Sequence, residues 1–526
     1  MKMNYTKHLL GGFLFLFSLV LFSCKDIVDP GPIPTGNMET FNLASVSNPG
    51  ISGTAQFIEN DDNTTNIILA LSGAPAGGMY PAHIHFNTAA EGGGIAITLG
   101  TVMGGTGTSS IIVSELDDGT PITYSQLMDY DGYINVHASA SDLGTIVAQG
   151  DIGQNALTGE TKIYDLGTVA VPGISGTATF SQRKNDETLV KIMLEGTPDG
   201  GMHPSHIHLN TAAEGGPISV SFTPIDGTSG MSVTNVSALD NETSITYDEL
   251  LEFDGYINVH LSTSEMGTLV AQGDIGQNEL TGVEKVYELG EKDVDGISGT
   301  ATFKERMNGE ALAILELMNT PEDGMHPAHI HSNTALQGGG IVVTFKPVNG
   351  ATGMSKTNVS MLDDETMIGY DDILDFDGYI NVHLSMENLA TIVAQGDIGQ
   401  NELTGESKSY VLDEKDVPGI NGTVTFRERM NGTTLAILEV ENTIPDSSHP
   451  AHIHANSAEV GGGIVVTFTP VDGTTGMSMT NVEALDDMTA ITYDDLLTYD
   501  GYVNVHLSMA QLGVIVAQGN IGSNAD

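Results

Sequence analysis

The chain has 526 residues, 40% of them hydrophobic, with 64 glycines, no tryptophan, and 17 Lys plus Arg against 68 Asp plus Glu for a net charge of −51. At about 100 to 200 residues per domain it is too long for a single core, and it is too apolar for a disordered chain. The acidic excess excludes nucleic acid as a partner, because phosphate binding needs clustered cations.

Residues 1–23 read as an export signal, with Lys2 and Lys7 ahead of an apolar run over 9–22 that is too short for an ordinary spanning helix. The run ends in LFSC, a lipobox-like tetrad that predicts cleavage before Cys24 and acylation of that cysteine, the only one in the chain. Several acyl chains on one residue hold a protein stably at a membrane surface. The expectation is a lipoprotein of a bacterial cell envelope, at the outer membrane or the cell surface. No later stretch is apolar and long enough to span a bilayer. With its one cysteine committed to lipid the chain has no internal disulfide, so its cores must carry its stability. Without residues 1–23, 15 cations face 68 acids, a net of −53 and a self-repelling surface. Hard cations such as Ca²⁺ suit such a surface, yet no DxDxDG loop is present. Residues 24–38, with Pro30, Pro32 and Pro34, read as a lipidated, semi-extended tether.

The remainder repeats. GISGT begins at Gly50, Gly173 and Gly296, and GINGT at Gly419; HIH begins at His83, His206, His329 and His452; NVH ends at His137, His260, His383 and His506. Every step is 123 residues, so no insertion or deletion separates the copies between these anchors. The predicted domains are 39–155, 162–278, 285–401 and 408–526, joined by short linkers such as ALTGETK and ELTGVEK. Each copy is large enough to fold alone, which predicts beads on a string. Within a copy, GTATF, LVKIMLEG, SHIHL, PISVSFTP, YINVHLS and GTLVAQGDIG are short alternating or β-branched runs between Gly, Pro and Asp turns. Only 247–253, YDELLEF, suggests a helical turn or two. The fold class is all-β: four tandem antiparallel β-sandwich or barrel domains.

Fifteen of the 16 histidines lie in the HIH and NVH triplets or three residues before HIH, and the other is His8. Alternate side chains of a strand share a face, so His206 and His208 project together, opposite Ile207, while Tyr256, Asn258 and His260 oppose Ile257 and Val259. The aliphatic face must be the buried one, which puts the histidines on the outer face or rim. If the two strands are neighbours, the triplets His83/His85/His137, His206/His208/His260, His329/His331/His383 and His452/His454/His506 can each converge on one ion. An imidazole set suits copper or zinc. His203, His326 and His449 are supporting candidates, as a fourth ligand or an orienter; Tyr80 stands there in the first copy. A hydrogen-bonded His/Asn/Tyr cluster that stiffens a loop is the competing reading.

HPxHIH, NTAxxGG, DGYINVH and GTxVAQGDIG together resemble the CHRD domain of chordin and of many bacterial exported proteins, over most of each copy. The late Gln of that pattern falls at Gln149, Gln272, Gln395 and Gln518, while its preceding Arg-Gly is replaced by Val147-Ala148 and their counterparts. The resemblance implies an immunoglobulin-like β-barrel with distant similarity to Cu/Zn superoxide dismutase. HPSHIH has the HxxHxH spacing of that enzyme's copper strand, and the analogy makes His206, His208 and His260 copper ligands. Three departures argue against the enzyme: no histidine lies between HIH and NVH, no arginine stands late in the copy, and the acidic field repels superoxide. Ser205 beside His206 has no triad, Asp363-Asp364 belong to the general acidic excess, and Gly338, Gly339 and Gly340 lack a Walker lysine. The sequence therefore reads as a binding or structural module with a His-based copper or zinc site per domain and no catalytic residues. The alternatives are a dismutase-like copper enzyme and a metal-free surface adhesin whose four copies raise avidity. An extracellular or periplasmic protein or glycan is the expected ligand.

Overall fold

The structure, a computed structural model, describes residues 31–47 and 50–525. The signal and Cys24 lie outside the described residues. In the first copy the elements are Pro34–Ser45 (β1), Ser52–Asn60 (β2), Thr65–Ser72 (β3), Met79–Phe86 (β4), Ile95–Met103 (β5), Thr108–Val113 (β6), Tyr124–Met128 (α1), Asp131–Ser139 (β7) and Asp142–Gly153 (β8). They close into an antiparallel barrel in the order β1-β2-β3-β6-β5-β4-β7-β8. The other copies repeat this order, with the counterparts of β4 and β5 each divided into two shorter strands. Nearly every element is strand, as the short alternating runs require.

Each copy has its own aliphatic core. Ile84, Ile134 and Val136 are fully buried in the first, and Ile207, Ile257 and Val259 in the second. An aromatic pair seals one end: Phe41 meets Phe57 edge-on with centroids 5.2 Å apart, and Tyr164 meets Phe180 in the same way. The predicted helical turn is Tyr247–Leu251, capped by Thr246, whose hydroxyl accepts from the Glu249 amide while the Glu249 carboxylate accepts from the Thr246 amide.

Two expectations need correction. Residues 34–38, assigned to the tether, belong to β1, where Met38 pairs with Ile58. The presumed linkers are likewise the first halves of strands Leu157–Thr168, Leu280–Glu291 and Leu403–Glu414. Their Thr, Gly and charged residues face solvent on an edge, and the buried alternation starts only at Tyr164 or Tyr287, so composition there imitates a turn.

The chain divides after Leu157 into two compact units, one holding the first copy and the other copies two to four. Within the second unit the copies are not independent beads. The hairpin tip after Arg306 docks on copy two through Met307 N–H to Glu279 O, at 2.9 Å, and Asn308 N–H to Gln277 O, at 3.0 Å. Met430 and Asn431 repeat these bonds on Glu402 and Gln400 of copy three. Three of the chain's four arginines, Arg183, Arg306 and Arg429, are spaced by the repeat, and all three are buried.

Candidate metal centre

β4 and β7 are hydrogen-bonded neighbours, in a register that sets His83 opposite Asn135, Ile84 opposite Ile134 and His85 opposite Tyr133. The same register recurs for His206/Asn258, His329/Asn381 and His452/Asn504. His137 lies one pleat beyond Asn135 on the same face. In every copy the three imidazoles therefore meet: His83/His85/His137, His206/His208/His260, His329/His331/His383 and His452/His454/His506 each bring one ligand atom per ring within 4.8 Å of the others.

Hydrogen bonding selects which nitrogen faces the centre. His85 Nδ1 lies 3.0 Å from Gly93 O, and His137 Nδ1 lies 2.6 Å from Leu143 O. A carbonyl can only accept, so both rings donate from Nδ1 and turn a bare Nε2 lone pair inward. Copies two to four repeat the arrangement with Gly216 and Met266, Gly339 and Leu389, and Gly462 and Leu512. The inward atoms His83 Nδ1, His85 Nε2 and His137 Nε2 are buried without a partner, as are their counterparts on His206, His208 and His260 and on His452, His454 and His506. Each such orphan costs about 1–3 kcal/mol.

Burial first, then the neighbouring rings His137 and His85, pushes His83 below the usual imidazole range. The same causes act on His206 and His452 and push His329 down to about 4. Burial also lowers His137, His260, His383 and His506. These rings are neutral at pH 7, the state a metal ligand requires.

The outward-facing prediction was right about the sheet face and wrong about exposure. The histidines oppose the aliphatic core, yet eleven of the twelve are buried, His137 at 5% exposure. The loop after β4 folds back over them. Gly93 passes so close to its strand that an added Cβ would lie 2.0 Å from Phe86 O, and Gly216, Gly339 and Gly462 are equally tight. The Gly93 amide donates to the Tyr133 hydroxyl at 3.1 Å, and the Tyr133 ring stacks on His85 with centroids 5.0 Å apart. The GG signal in NTAxxGG thus marks the cover of the site, which strand alternation alone does not reveal.

The supporting histidines stay outside these clusters. His203, His326 and His449 are fully buried, and each Nδ1 approaches the backbone oxygen of the third triplet histidine, at 3.3, 3.2 and 3.1 Å. They hold the strand that carries His260, His383 or His506. The late glutamine also acts through the backbone frame: Gln149 Nε2 donates to Asn135 Oδ1 at 2.8 Å, and Gln272, Gln395 and Gln518 do the same for Asn258, Asn381 and Asn504. Among the described residues each grouping has three histidines and no carboxylate or fourth imidazole.

No protein-family model matches the chain, and no curated protein matches it. Among solved structures it is similar to one described as a tetra-tandem repeat in the extending region of a large adhesion protein, at 12% identity over 88% of this chain and 96% of that one, with a TM-score of 0.11. So little superposable geometry carries no argument about fold or role.

Proposed function

We propose that the protein is an envelope lipoprotein, anchored through Cys24, that displays four CHRD-like β domains as a binding or structural module, each holding copper or zinc on its histidine triplet. The observation that carries the metal reading is the set of three imidazole nitrogens within 4.8 Å of one another in every copy, all three buried without a partner in copies one, two and four. A cluster that merely stiffened a loop would satisfy these atoms internally. Such an ion would cross-link β4 to β7 and, with three protein ligands, keep a position open for a further ligand. The acidic surface and the LFSC tetrad support display at a membrane surface, toward an extracellular or periplasmic protein or glycan.

The test is metal titration of the purified mature chain after chelation. Four equivalents of Cu(II) or Zn(II) are expected per chain, and three for a His206→Ala/His260→Ala variant. Uptake that the histidine substitutions leave unchanged, or no uptake, would remove the metal reading. The copper-loaded chain is expected not to turn over superoxide, because its acidic field repels the anion.

A further inference from the structure

We propose that Arg306 and Arg429 are positioning residues for the histidine site of the preceding copy, so that the sites of copies two and three are each completed by the copy that follows. The proposal rests on the metal reading for its functional consequence and on geometry for its route.

Arg306 is fully buried at the joint between copies two and three. Its Nε donates to Asn358 of its own copy at 2.7 Å, and its Nη1 reaches back to Asp274 Oδ2 at 2.7 Å and to Asn278 O. Both acceptors hold the cover of copy two. Asp274 Oδ1 accepts from the Ala212 amide at 2.7 Å, and the Asn278 side chain donates to Asn210 O at 2.9 Å. The segment so clamped, 210–216, ends at Gly216, whose carbonyl fixes the His208 tautomer at 2.9 Å and whose amide donates to the hydroxyl of Tyr256, the ring of which stacks on His208. Arg429 repeats the route on copy three through Asp397 at 2.7 Å and Asn401 O, then Ala335, Gly339 and His331.

The fourth copy supplies the contrast. Asn520 stands where Asp151, Asp274 and Asp397 stand in the others, and its Oδ1 accepts from the Ala458 amide at 2.9 Å with no guanidinium needed. The first copy has Asn60 where the others have Arg183, Arg306 and Arg429. A neutral amide holds the loop unaided; a covered carboxylate that loses its cation turns toward water and releases it.

The experiment uses the full mature chain with one site left intact. His83→Ala/His329→Ala/His452→Ala leaves copy two, and His83→Ala/His206→Ala/His329→Ala leaves copy four. Adding Arg306→Leu is expected to weaken Zn(II) binding by copy two about 10- to 100-fold, the usual effect of losing a support behind a ligand. Copy four should be unchanged, which also reports that the chain is folded. Adding Asp274→Asn, which copies the Asn520 arrangement, is expected to restore copy two. Amide exchange in metal-free protein separates this proposal from the metal reading: Ala212 and Gly216 should lose protection in the Arg306→Leu chain and regain it in the double variant. Unchanged exchange at these two amides overturns the coupling whether or not the protein takes up metal. Unchanged Zn(II) affinity at copy two in a chain that binds Zn(II) overturns it as well.

Discussion

Burial moves the imidazoles and the phenols of this protein in opposite directions, because it disfavours whichever form is charged. It lowers His83, His137 and their counterparts in the other copies, and it raises Tyr164 and Tyr287. Tyr164 and Tyr287, the aromatic residues at the start of copies two and three, are pushed up to about 12, chiefly by burial. A raised pKa means that the folded chain keeps a proton that the unfolded chain sheds from about pH 10. The associated stability is complete below pH 10 and is lost as pH rises through 12. Tyr164→Phe and Tyr287→Phe should each flatten the alkaline fall in the urea midpoint, by about 2–3 kcal/mol at full ionisation. Equal slopes for the parent and variant chains would contradict the assignment. At this level the sequence was a good guide to which histidines meet and a poor guide to their surroundings. The spacing of HIH and NVH named all twelve clustered histidines, but it could not show that Gly93 and Leu143 carbonyls orient them.

The strand carrying HIH does two jobs with its two faces. Ile207 points into the core with no exposure, whereas Leu209, two residues on, is 38% exposed. Ile207→Ala should therefore cost about 2–5 kcal/mol by leaving a cavity, and Leu209→Ala less than about 0.5 kcal/mol, read as urea midpoints of the transition that includes copy two. Similar costs would contradict this difference in burial along one face of the strand. Alternation fixes these faces because a slip of one residue would bury imidazoles and expose isoleucine. It fails where a strand has no buried partner on either face, which is why 157–163 and 280–286 look like linkers although each continues into a barrel strand.

Copies two to four form one compact unit, held at each joint by a buried arginine paired with the copy before it. Nearest-neighbour coupling of this sort makes repeats unfold together. Calorimetry of the full chain should show the transition of these three copies as a single step, and Arg306→Leu/Arg429→Leu should divide it; three separate steps in the parent chain would argue against coupling. The joint was hidden in the sequence because Arg306 and Asp274 are 32 residues apart in different copies. The signal that could have found it is their common recurrence: in a chain so poor in cations, three arginines share the repeat spacing.

That joint also bears on how such a gene can change length. Copy three carries both halves of the connection, Arg306 toward Asp274 of copy two and Asp397 toward Arg429 of copy four. Loss of copy three as one 123-residue block would bring Asp274 against Arg429, and gain of another such block would add a matched pair. Unequal recombination between the repeats can therefore lengthen or shorten the array in whole units without leaving a mismatched seam, while the differing residues at the outer positions, Asn60 and Asn520, travel with the first and fourth copies.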